Sequence, residues 1–96
     1  MISIFDYQNY RLFLIDFLND KKQHEKGFSQ RDILKKMGIS SSGFLANVLS
    51  GRNNLTTTQI ALLARVLKFK KSETAYFEAL VLFTQAKTLD EKNLYY

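Results

Sequence analysis

There is no cysteine, no proline and no tryptophan in these 96 residues, and only four glycines and one histidine, His24. A disulfide scaffold and a zinc site are thereby excluded. A glycine-rich phosphate loop and convergent carboxylates on one face are missing as well, so no enzyme is expected. His24 lies in a lysine-rich polar stretch and reads as a solvated helix-end residue, not as a general base. Long apolar runs are also lacking. The longest, Leu12 to Leu18, contains Asp16 and falls far short of the roughly 20 residues that cross a bilayer. No signal-peptide pattern opens the chain. The expectation is a soluble, cytoplasmic protein with no membrane partner and no cofactor. A chain of 96 residues makes one domain, residues 1–96. It can bury about two-thirds of its unfolded surface, which leaves little room for a large catalytic pocket.

What is present is positive charge, unevenly placed. The net charge is +5, yet residues 21–71 hold eleven Lys or Arg against Glu25 and Asp32, a local net of +9. The segments on either side are each −2. A basic region confined to one part of a small domain is the footprint of a polyanion binder, because each cation near a phosphate releases condensed counterions.

Apolar residues recur at spacings of three and four with no sustained alternation, which predicts an all-helical protein. Three Ser or Thr positions carry the spacing of a hydrophobic staple: Ser29 between Phe28 and Ile33, Ser40 between Ile39 and Phe44, and Thr56 between Leu55 and Ile60. Asp32 and Gln59 also stand where a capping box needs its third member. The first helix is expected from a cap at Asp6 to about Gln23, with Tyr10, Phe13, Leu14, Phe17 and Leu18 inward. A second runs from Gln30 to Met37, burying Ile33, Leu34 and Met37, and stops at Gly38. A third runs from Ser41 to Ser50 and stops at Gly51. Only Gly38, Ile39 and Ser40 join these two, so their axes are expected to cross steeply as a helix-turn-helix over residues 29–51. A fourth helix, about Thr57 to Phe69, packs Ile60, Leu63, Ala64 and Leu67. A fifth, Glu73 to about Gln85, packs Tyr76, Phe77, Leu80, Val81 and Phe83. Thr88 and Glu91 mark a further start, with room for two turns before Tyr96, where Tyr95 and Tyr96 read as part of a severed helix. The fold class is therefore all-α, a compact domain of five to six helices, expected to be the N-terminal part of a longer protein.

Around the third helix, Phe44, Leu45, Val48 and Leu49 share one side at about 100° per residue. The other side carries Ser42, Gly43, Ala46, Asn47 and Ser50, small and neutral residues suited to close approach to the major-groove floor. Asn47 matches adenine N6 and N7, and Ser41 or Ser42 can bond to several bases. Together with Ser41, those five are the candidate base readers. Arginine is missing from that face, so discrimination is expected to be modest, or to draw on DNA shape and a second copy of the domain. The candidate phosphate contacts are Ser29 and Gln30 at a helix start, Arg31, Lys35 and Lys36 on the second helix, and Arg52, Asn53 and Asn54 after the third.

Residues 28–69, with Phe-Ser-Gln-Arg-Asp-Ile-Leu-Lys-Lys-Met-Gly-Ile-Ser-Ser, the Ser-Gly-Arg exit at Ser50 to Arg52, and Thr-Thr-Thr-Gln-Ile-Ala-Leu-Leu-Ala-Arg-Val-Leu, resemble the phage-repressor and Cro type of helix-turn-helix. That resemblance implies Gln30 at the phosphate and base edge, and Ser41, Ser42 and Ala46 as main readers. Gly38 to Gly51 is one residue longer than is usual in that group, which leaves Ala46 and Asn47 as alternative readers. The opening Phe5, Asp6, Tyr7, Tyr10, Arg11, Phe13 and Leu14, with the stretch Tyr76 to Lys87, is similar to a bacterial family of uncharacterised predicted transcriptional regulators. The similarity implies a longer protein with a second helical region.

The function these patterns point to is a DNA-binding transcription regulator acting on double-stranded DNA as a homodimer. The alternative is a protein-interaction module that keeps the fold without binding DNA. Its motive is the uncharged third helix and the extra apolar residues Leu12, Ile15, Leu62, Val66 and Leu82. A C-terminal region or a partner protein docking on the first and fifth helices is part of the same expectation.

Overall fold

A computed structural model describes residues 2–86, and among them there are helices and turns but no strand. A 3₁₀ turn at Ile4–Asp6 is followed by α1 (Tyr10–His24), α2 (Gln30–Met37), α3 (Phe44–Ser50), α4 (Thr57–Val66) and α5 (Lys71–Gln85). No helix among the described residues is long and apolar enough to cross a membrane. The further start at Thr88 and Glu91, together with Tyr95 and Tyr96, lies outside the described residues.

The core is one cluster. Tyr10, Phe13 and Leu14 of α1 meet Leu45 and Val48 of α3, Ile60 and Leu63 of α4, and Phe77 and Val81 of α5, all at 0–1% exposure. Phe13 is the hub of its aromatic part, with ring centroids of Phe17, Phe69 and Phe77 at 5.3, 5.8 and 6.3 Å. Helix α1 packs against α3 and α5, and α4 packs against α2 and α5, so α2 and α3 lie on the outside of a frame made by the other three.

Three helices end in the same way. After α2 the Ile39 N–H reaches the Leu34 carbonyl at 2.9 Å and Gly38 turns left-handed at φ +75°. After α3 the Arg52 N–H reaches the Asn47 carbonyl at 2.9 Å around Gly51, φ +89°. After α4 the Phe69 N–H reaches the Ala64 carbonyl at 3.0 Å, and here the left-handed residue is Lys68, φ +60°. Each is a Schellman exit, which closes orphan carbonyls by reversing the chain, and glycine enters that conformation without a Cβ penalty. Helix α4 consequently stops at Val66, three residues before Phe69.

Several starts differ from the sequence reading. Asp6 does not cap the first helix. Ser3 accepts from the Phe5 N–H and starts the 3₁₀ turn, Tyr7 is extended, and Asn9 caps α1 by accepting from Arg11 and Leu12. Tertiary contacts override the local signal there. Ile4 is 2% exposed, the Tyr7 hydroxyl donates to Asp16 at 2.6 Å, and the Tyr7 carbonyl accepts from the Tyr76 hydroxyl at 2.8 Å. Ser40 does not cap α3 either. The helix begins at Phe44 after Gly43, which makes no side-chain cap, so the connection from α2 spans residues 38–43 instead of three residues. Three successive serines and a glycine are weak helix formers, and Ser41 accepts the Phe44 N–H in a turn. Ser29 caps α2 as expected, but Asp32 pairs with Lys36 at 3.0 Å and does not close the box. The Thr56–Gln59 box is complete, with bonds of 3.0 and 3.2 Å. Helix α5 starts at Lys71, two residues before Glu73, whose carboxylate accepts the Lys70 N–H at 2.7 Å. Phe83, expected inward, is 56% exposed.

Candidate nucleic-acid interface

Helix α3 is half inside and half outside. Leu45 and Val48 are buried at 1% and 0% exposure, and Phe44 and Leu49 are half-buried against the core. Ser41, Ser42, Ala46 and Ser50 are exposed, and Gly43 and Asn47 are half-buried. The Asn47 carbonyl serves the exit from α3, accepting from Arg52, Asn53 and the Ser50 hydroxyl at 2.9, 3.1 and 3.1 Å.

On α2 every candidate side chain, Ser29, Gln30, Arg31, Lys35 and Lys36, is exposed. The Ser29 hydroxyl accepts the Asp32 N–H at 3.2 Å, so the donors left at this helix start are the Gln30 and Arg31 N–H groups. Gln30, Arg31 and Lys35 share one depression with Ser40 and Ser42 of the connecting segment. The fold therefore brings the cations of α2 beside the serines that lead into α3. Lys36 is turned elsewhere. It lines a separate cleft with Lys21, Lys26 and Lys68, between the ends of α1 and α4. One residue's step around a helix separates Lys35 from Lys36, about 100°.

Beyond α3, Arg52, Asn53 and Asn54 are exposed. Among the described residues none of Arg31, Lys35 and Arg52 has a carboxylate partner, because the ion pairs there are Lys21–Glu25, Lys36–Asp32 and the His24–Asp20 contact. No acidic residue occurs between Asp32 and Glu73, so α3 and the segments on both sides of it carry no negative side chain. His24 is exposed at the end of α1 with Nδ1 against the Asp20 carbonyl. Among the described residues no three His, Asp or Glu stand together as a metal site would need.

Two residues to which the sequence reading assigned no role at the interface organise this region. Arg11 of α1 reaches the end of α3 and the loop after it, donating to the carbonyls of Val48 and Asn53 and to Oδ1 of Asn54. Gln85 of α5, 8% exposed, holds Leu55 and the Tyr10 hydroxyl. Burial pushes the Tyr10 phenol above its ordinary pKa, with the Arg11 charge opposing. The hydrogen bond to Asp16 raises that of Tyr7, since the carboxylate favours the protonated hydroxyl. One signal for Arg11 was available in the sequence: it is the sole cation in residues 1–20 and adjoins the buried stripe.

No protein-family model, curated protein or solved structure matches this chain.

Proposed function

We propose that this chain is a DNA-binding transcription regulator of the repressor-like helix-turn-helix type, with α2 across the phosphate backbone and α3 in the major groove. The observation that carries the reading is the two-sided character of α3. It buries Leu45 and Val48 while Ala46 and Ser50 are exposed, Ser41 and Ser42 of the segment leading into it are exposed as well, and Arg31, Lys35 and Arg52, which have no carboxylate partner among the described residues, flank it. A major groove about 12 Å wide admits a helix, and small outward side chains let its backbone come close to base edges. Seven helical residues span about 10 Å, the rise of roughly three base pairs, so one copy reads little and a homodimer on two half-sites supplies the rest. Titration of labelled duplex DNA at several salt concentrations tests the reading. Affinity falling steeply with salt is expected, and salt-independent or absent binding would sink it.

A second reading, a partner-docking module, draws support from exposed apolar side chains on the first and fifth helices: Leu12 of α1 is 59% exposed and Leu82 of α5 is 48% exposed. The two readings part on charge reversal. Lys35→Glu with Arg52→Glu removes DNA binding under the first and leaves protein association intact under the second.

A further inference from the structure

The guanidinium of Arg11 stands where α1, the end of α3 and the loop toward α4 meet. Nη1 donates to the Val48 carbonyl and, at 3.1 Å, to the Asn53 carbonyl; Nη2 donates to Asn54 Oδ1 at 2.9 Å. The Tyr10 ring lies beneath it, 4.8 Å from the guanidinium carbon to the centroid. All three acceptors are neutral, so what the residue supplies is direction. A planar fork sets the angles of several acceptors at once, which a lysine ammonium does not do.

We infer that Arg11 is a positioning residue that holds the Asn53–Asn54 loop in the conformation in which Asn54 offers its amide nitrogen to a phosphate oxygen of a duplex. The inference rests on the DNA-binding reading above and names the contact that the loop makes. An asparagine amide has an acceptor end and a donor end. The acceptor end of Asn54 faces a group that can only donate, so the amide is oriented and Nδ2 is the atom left on an exposed side chain. Phosphate oxygens only accept, so Nδ2 is the right atom for them. Arg11 also sets a positive charge against a carbonyl of the last turn of α3, so the negative end of that helix does not meet the phosphates bare.

Amide hydrogen exchange on the DNA-free chain separates this from ordinary structural support. In Arg11→Lys the Arg52 and Asn53 amides, both bonded to the Asn47 carbonyl, are expected to exchange about tenfold faster. Wild-type protection in that variant overturns the inference. Should Arg11→Lys not fold, Asn54→Ala at its exposed position gives the same readout for the side-chain arm of the tie. Fluorescence anisotropy with a labelled mixed-sequence duplex then tests the contact. Arg11→Lys is expected to bind about tenfold more weakly with an unchanged salt slope, because the charge is kept. Asn54→Asp keeps the acceptor for Arg11 and loses the donor, so it is expected to retain wild-type exchange and bind about tenfold more weakly. Wild-type affinity in Asn54→Asp overturns the phosphate contact. A wild-type chain that binds no duplex removes the DNA-binding reading and that contact together, and exchange still decides whether Arg11 holds the loop.

Discussion

Gln85 closes both backbone polar groups of Leu55. The Leu55 N–H donates to Oε1 at 2.7 Å, and Nε2 donates to the Leu55 carbonyl at 3.1 Å. Oε1 also accepts the Tyr10 hydroxyl at 2.9 Å. The end of α3 and the segment after it are thus pinned, from α5 at Leu55 and from α1 at Val48, Asn53 and Asn54, and among the described residues no buried side-chain nitrogen or oxygen is left without a partner.

Gln85→Leu preserves much of the volume and strands three polar groups, the Leu55 N–H, the Leu55 carbonyl and the Tyr10 hydroxyl. A buried unpaired group costs about 1–3 kcal/mol, so urea unfolding should lose at least about 2 kcal/mol. An unchanged midpoint would mean that this amide does not hold the loop.

Tyr10→Phe removes one bond to Gln85 and is expected to cost about 1 kcal/mol near neutral pH. It also changes the alkaline limb. Burial raises the Tyr10 pKa above 10.0, so the folded chain holds that proton more tightly than the unfolded one. The associated stability is complete below about pH 10 and is lost as pH climbs through the folded-state value. Thermal unfolding at about pH 8 and about pH 11 should therefore show a steeper loss in the wild type than in Tyr10→Phe. Tyr7, raised by Asp16, is common to both proteins and cancels in the comparison. Parallel losses would exclude the assignment.

Lys68 and Gly38 occupy equivalent places in two Schellman exits. Lys68→Gly relieves a left-handed residue bearing a Cβ and should stabilise by up to about 1 kcal/mol. Gly38→Ala should destabilise by about 1–2 kcal/mol, all of it backbone strain, since nothing lies within 4 Å of the added carbon. Thermal melts of the two variants should move in opposite directions, and movement together would contradict the shared geometry.

Lys35 and Lys36 should differ in DNA binding although they are neighbours. Lys35 lies in the depression with Ser40 and Ser42, whereas Lys36 pairs with Asp32 and lines the cleft on the α4 side. Lys35→Glu is expected to weaken duplex affinity at least about tenfold and Lys36→Glu much less, with the salt slope reduced only by the former. Equal effects would argue that the whole basic segment acts as a diffuse field.

What the sequence made legible was whatever is decided within about a turn of chain. Ser29 and Thr56 as caps, Gly38 and Gly51 as stops, and the inward stripes of α2 and α4 all have determinants close to the residues they govern. The start of α1 was lost because Ile4 and Tyr7 are committed to distant partners, and the start of α3 because Ser40 satisfies a staple spacing that three serines and Gly43 do not support. Of the candidate interface, the exposure of Ala46 and Ser50 follows from the apolar phase of α3, a local property, whereas Ser41 and Ser42 are exposed in the segment before the helix, where that phase does not reach. Arg11 and Gln85 were not legible as organisers for a different reason. Most of their acceptors and donors are main-chain groups 30 to 42 residues away, and a peptide carbonyl has no residue type for a pattern to detect.

The anchoring of α3 from beneath has an evolutionary corollary. Arg11 grips peptide oxygens of Val48 and Asn53, which every residue possesses, so exchanging Ser41, Ser42, Ala46 or Ser50 leaves that attachment as it was. Under the proposed DNA-binding reading, such a scaffold can acquire new target preferences by altering its outer side chains while its architecture stays constant, and descendants of one ancestor can diverge in what they recognise without first relearning how to fold.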